Sequence, residues 1–83
     1  MKSAAPIEAF VITPHAIFEM RRRGIDEVAV RLVLAAPEQR MPVRRGRDVL
    51  PSRVRFGDKK YLIRVFVDVD RLPAQVVTAY PRE

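Results

Sequence analysis

The chain has 83 residues, 48% of them hydrophobic, with one histidine and no cysteine. A chain of that size makes one domain, residues 1–83, held by apolar packing; disulfides and thiolate metal sites are excluded, and one histidine cannot build the usual nitrogen ligand set of zinc. The formal net charge is +6, and thirteen of the sixteen basic residues are arginine, which favours an anionic partner, RNA or DNA first, with an acidic protein as the alternative.

Codon bias explains an Arg-to-Lys ratio but not an excess of positive over negative charge. No run of about twenty apolar residues is present to span a bilayer. The apolar stretch at the start is too short and too broken for a signal peptide. The expectation is a cytoplasmic protein with no membrane segment and no cofactor.

In chain order, "EAFVI" (8–12) reads as a short first strand. Thr13 then Pro14 is a helix start, a hydroxyl at the N-cap followed by proline at the first helical position. That helix runs to about Arg23 and stops at Gly24. Asp26 caps a second helix, "EVAVRLVLAA", which ends at Pro37 and is apolar on most sides. From Glu38 on, the signals are those of strands. "QRMPVRR", "DVLPSRVRF", "KYLIRVFVD" and "QVVTAY" are each short and bounded by Gly, Asp or Pro. Pro42 and Pro51 cannot donate to a ladder, so the first two of these strands are edge-like or bulged. "YLIRVFV" is the candidate for the sheet centre. The expected architecture is α+β: two N-terminal helices packed on an antiparallel sheet of about four strands.

On the first helix, His15, Glu19 and Arg22 share a face, with Ala16, Ile17, Met20 and Gly24 on the packing side. The helix dipole disfavours an imidazolium at His15 and Glu19 favours it, which suits a proton-transfer group; the alternative is a histidine that only covers the helix start. Arg21, Arg22 and Arg23 fan out, leaving Arg22 beside His15, Arg23 at the helix end and Arg21 in solvent. On the strands, Arg53 and Arg55 share one face, and Leu50, Val54 and Phe56 the other. Tyr61, Ile63, Val65 and Val67 alternate with Leu62, Arg64, Phe66 and Asp68. Arg64 stands out, because a cation in an apolar central strand is costly unless paired. It either pairs with an acid such as Asp68 or Glu19, or faces a groove and binds an anion. Thr78, Tyr80 and Val76 are expected on one face of the last strand.

The three glycines are isolated turn markers, not a phosphate-cradling loop, and the second helix lacks the polar side chains of a recognition helix. The order "TPHA…M..RGI…V..VL..P", then "LIRVFVD", then "VVTAYP" resembles the domain-of-unknown-function family 4258, from about Val11 to Pro81. The residues carrying the resemblance are His15-Ala16, Met20, Arg23-Gly24-Ile25, Pro37, Arg64 and Thr78-x-Tyr80. That family is similar to the small bacterial RNase toxins of the RelE and BrnT type, of the barnase/colicin/RelE-like fold. The resemblance implies metal-independent RNA cleavage, or a degenerate relative of it, with a cognate antitoxin protein as partner. One departure is Glu19, where the family pattern is commonly basic; Arg22 is the substitute the spacing offers.

The implied catalytic set is His15 as acid or base, Arg64 on the phosphate, Tyr80 orienting substrate or acting as second acid, and Thr78 on the phosphate or holding His15. Arg22, Arg23, Arg53 and Arg55 are the expected RNA contacts. The rival expectation is a non-catalytic basic module that binds nucleic acid or an acidic protein and does not need His15.

Overall fold

The computed structural model describes residues 4–56 and 58–82. The elements in order are β1 (Phe10–Ile12), α1 (Pro14–Arg22), α2 (Glu27–Ala35), β2 (Met41–Arg44), β3 (Arg47–Phe56), β4 (Lys59–Asp68) and β5 (Ala74–Arg82). The expected turn position Gly57, and the side chain of Phe56, lie outside the description.

The sheet corrects the expected architecture. It has five strands in the order β1-β5-β4-β3-β2, and it is mixed rather than antiparallel. The extra strand is β1, which comes before the helices and pairs in parallel with the last strand, Phe10 opposite Ala74 and Ile12 opposite Val76. The apolar run "EAFVI" fits a strand, but its partner is some 64 residues away along the chain. Local pattern does not specify so distant a pairing. β4 is the central strand, as the run "YLIRVFV" implies.

One face of the sheet is dry. Leu50 and Val54 of β3, Ile63, Val65 and Val67 of β4, and Val76 and Ala79 of β5 are buried there. α1 packs on β5, and α2 on β3 and β4. The helices contribute Ala16 and Met20 from α1, and Ala29, Val30, Val33 and Leu34 from α2. Each Val, Leu, Ile or Met side chain so removed from water contributes about 1.5–3 kcal/mol before entropy is counted.

Local chemistry fixes where α1 starts and stops. The Thr13 hydroxyl accepts from the Ala16 amide at 3.1 Å and donates to the Val76 carbonyl at 3.0 Å, so the N-cap also ties the helix to β5. At the other end Gly24 has φ +70°. The Gly24 amide donates to the Arg21 carbonyl and the Ile25 amide to the Met20 carbonyl. That is a Schellman motif, with buried Ile25 packing at the helix end. Arg23 thereby becomes the C-cap residue, and its side chain leaves the helix at a set point.

The prolines and a bulge shape the strands. Pro42 lies in edge strand β2, next to a register shift. β2 pairs with β3 only up to Val49, so Pro51 sits where β3 has no strand on its outer side. The missing donor costs nothing there. Between β4 and β5 the register shifts, with Val67 opposite Val76 but Phe66 opposite Thr78. The extra residue, Val77, turns Val76 into the core while Thr78 and Tyr80 face the other way. This corrects the expected grouping of Val76 with them.

Candidate functional site

The second sheet face carries no helix. Cross-strand partners share a face, so the register places Pro51, Arg53 and Arg55 of β3, Lys60, Leu62, Arg64, Phe66 and Asp68 of β4, and Thr78 and Tyr80 of β5 on it. Arg64 lies directly opposite Tyr80. Its guanidinium carbon is 5.8 Å from the Tyr80 ring centre.

β1 covers only Ala74–Val76 of β5. From Thr78 on, α1 lies along that edge in place of a strand, and Arg23 reaches past it. One Arg23 nitrogen donates to the Thr78 hydroxyl at 3.0 Å and to the Ala79 carbonyl at 3.3 Å. The other donates to Glu19 Oε1 at 2.7 Å. The guanidinium stacks on the Tyr80 ring, 4.1 Å from its centre, and Phe66 meets the same ring edge-on at 5.6 Å. Glu19, Arg23, Thr78, Tyr80, Phe66 and Arg64 thus form one contiguous cluster where α1 meets the open face.

The charge balance of this cluster is uneven. Glu19, only 14% exposed, is committed to Arg23 and makes a longer 3.6 Å contact with Arg22. Asp68 is committed to Arg47, through bonds of 2.6 and 3.1 Å. Neither acid pairs with Arg64, although both were the acids its position called for. Arg64 Nε is instead the one buried side-chain polar atom without a partner among the described residues. Leaving such a donor unmade costs about 1–3 kcal/mol, more for a charged group. Of the pairs expected for Arg64, those with Glu19 and Asp68 are not formed, and no ion pair of Arg64 occurs among the described residues.

The other expected residues are placed as follows. His15 is exposed, one turn before Glu19 on the same stripe of α1, and no side-chain hydrogen bond orients it among the described residues. Thr78 is held by Arg23, not by His15. The Tyr80 hydroxyl is not among the buried unpartnered atoms of the described residues. Arg22 projects into solvent, its side chain 63% exposed. Arg53 is bound by Glu38, whose carboxylate also accepts from the Arg53 amide and so closes the open edge of β3. The Arg53 guanidinium holds the Glu38 carboxyl below its usual range. Arg55 is exposed and has no ion-pair partner among the described residues.

Sequence reasoning named Arg23 as an RNA contact but missed the bonds that commit it within the cluster, although Glu19–Arg23 at i,i+4 was already the favourable order for an ion pair. It treated Phe66 as a strand residue only, and its contact with Tyr80 depends on the bulge at Val77.

On the helix side, a cleft of about 300 Å³ lies between the α1–α2 junction and the ends of β4 and β5, lined by Arg23, Ile25, Asp26, Ala29, Tyr61 and Ile63. Its walls are mostly apolar and it shares only Arg23 with the cluster. No group of three or more His, Cys, Asp or Glu side chains able to hold a metal ion occurs among the described residues. No helix is long and apolar enough to cross a membrane.

No curated protein and no solved structure matches the chain. A family model does match, over residues 12–81, from the end of β1 to the end of β5 and across every residue of the cluster. On that match the chain belongs to the family described as Domain of unknown function (DUF4258).

Proposed function

We propose that the open face binds RNA through its sugar-phosphate backbone, and that the cluster at Arg64 cleaves it by acid/base chemistry in the manner of a toxin-type endoribonuclease. The observation that carries the binding half is Arg64. Its Nε is buried without a partner beside Tyr80, and the nearby acids are already committed to Arg23 and Arg47. A guanidinium fork matches phosphate geometry, and turning it toward a phosphate frees the unpartnered Nε from its buried position. Tyr80 and Phe66 add aromatic surface for a base or ribose.

The cleavage half needs three groups. A base removes the proton from the ribose 2′-OH, whose oxygen attacks the adjacent phosphorus. A cation stabilises the charge on the phosphorane. An acid then gives a proton to the departing 5′ oxygen, leaving a 2′,3′-cyclic phosphate. In this reading Arg64 is the cation, and His15 and the Tyr80 hydroxyl are the two proton carriers, on either side of the α1–β5 seam. Arg23 is a positioning residue that holds Tyr80 and Thr78 through the contacts described above. A cognate antitoxin that covers this basic face belongs to the same proposal.

A second reading, binding without cleavage, is favoured by one observation: no side-chain hydrogen bond among the described residues orients His15. A single experiment separates the two. Labelled RNA is incubated with the wild type, His15→Ala and Arg64→Ala, with EDTA present, at low and moderate salt. Cleavage lost in both variants, with folding intact, supports the nuclease. Salt-sensitive binding without cleavage, lost only in Arg64→Ala, supports the binding module. No binding by the wild type contradicts both.

A further inference from the structure

Arg55 and Lys60 face each other directly across β3 and β4, on the open face. Both are exposed, and neither has an ion-pair partner among the described residues. Like charges directly opposite in an antiparallel pair destabilise it, with Cβ atoms only about 4.5–5.5 Å apart. The sheet has a second such pair, Arg44 opposite Arg47, but there Asp68 neutralises Arg47. Arg53, the neighbour on the same face, is likewise neutralised by Glu38. Arg55–Lys60 is thus a cross-strand cation pair left uncompensated among the described residues.

Its position relative to Arg64 is fixed by the pleat. Lys60 and Arg64 are four residues apart on one strand, pointing to one face, which spans about 13 Å. Half-buried Leu62 lies between them. Along the axis of a stacked nucleic-acid helix, the phosphates of one strand advance about 3.4 Å per nucleotide. The span therefore matches about four nucleotides, the short end of the footprints of single-strand-binding domains.

We propose that Arg55 and Lys60 form a second phosphate subsite, gripping the backbone of single-stranded RNA about four nucleotides from the phosphate held at Arg64. This rests on the RNA reading above and extends it. Two exposed cations at this spacing select for substrate length, and leave the chemistry at Arg64 untouched. The repulsion between them is relieved when a phosphate enters.

The test uses 2′-O-methyl oligouridylates, which bind without being cleaved, as a dinucleotide and as a hexanucleotide. Binding is followed by NMR titration at several salt concentrations. With Arg55→Gln/Lys60→Gln, hexanucleotide affinity is expected to fall about five- to tenfold and its salt slope by about 0.7 per lost phosphate contact, while dinucleotide affinity stays unchanged. Unchanged hexanucleotide binding overturns the subsite and leaves the Arg64 reading standing. An equal loss for both lengths also overturns it, because that is the mark of diffuse charge. If the wild type binds neither length, the RNA reading fails and the subsite with it. As an independent check, Lys60→Glu turns the repulsive pair into an attractive one. It is expected to raise the melting temperature by roughly 1–5 °C while weakening the hexanucleotide; a lowered melting temperature contradicts the claim of uncompensated repulsion.

Discussion

The two faces of the sheet are built from alternate residues of the same strands, yet they are organised in opposite ways. On the helix side, Leu50, Val65 and Val67 are fully buried, and Ser52 is the one buried polar residue among the described residues. On the open side, the intervening residues are Arg64, Phe66 and Asp68, and each acid at this face is taken by an arginine. Arg47 meets Asp68, Arg53 meets Glu38 and Arg23 meets Glu19. Arg64 is left over, as are Arg55 and Lys60. The dry face holds the fold, and the open face carries unspent positive charge. If that division is right, substitutions on the two faces separate stability from binding.

The largest expected effect is on the dry face. Leu50→Ala removes a fully buried side chain facing the helices and is expected to destabilise the protein by about 2–5 kcal/mol in urea unfolding. A loss below about 1 kcal/mol would mean that this face is not the main core. Next is Gly46, in the β2–β3 turn at φ +81°, where an added Cβ would stand 2.5 Å from Asp70 Oδ2. Gly46→Ala is expected to cost about 1–3 kcal/mol, read from the same unfolding curves. Arg23→Ala joins the two faces. It removes the bonds to Glu19, Thr78 and the Ala79 carbonyl and uncovers Tyr80, for an expected cost of about 1–2 kcal/mol. Any cleavage should fall with it through mispositioned Tyr80; Arg23→Lys should restore stability better than activity, because a lysine cannot make the same fork of bonds.

The smallest effect is a pH dependence. The Arg47 guanidinium holds the Asp68 carboxyl below its ordinary value, with further help from Arg44 and Arg71. A carboxyl depressed in the folded state stabilises above its unfolded value, near pH 4. That contribution is lost as pH falls through the lower folded value. Thermal unfolding between about pH 5 and 2 should show the decline, and Arg47→Gln should flatten it. An unchanged slope would mean the pair contributes nothing in solution.

Much of this division is legible in the sequence, because a period of two is all it needs. The alternation in "YLIRVFVD" assigns Arg64 to the face opposite Val65, and Thr13-Pro14 and Gly24 bracket α1. What is not legible depends on closure of the chain. The parallel pairing of β1 with β5 joins residues from opposite ends of the domain, so the fold had to be corrected from a four-stranded antiparallel sheet to a five-stranded mixed one. The bulge at Val77 separates Val76 from Thr78, and no proline or glycine marks it. Which acid takes which arginine is also a tertiary outcome. Glu19 lies one turn from both His15 and Arg23; the i,i+4 spacing to Arg23 is readable, but the bonds from Arg23 to Thr78 and Ala79 exist only once β5 is in place.

Arg64→Met tests the central claim most directly. Methionine keeps much of the apolar volume and removes the unpartnered donor. Two quantities are measured on the one variant, unfolding free energy and affinity for a single-stranded RNA oligonucleotide. The expected result is stability that is unchanged or raised by about 1 kcal/mol, with RNA affinity reduced at least tenfold. A variant that is clearly destabilised, yet binds RNA as the wild type does, would contradict the account and make Arg64 a structural residue.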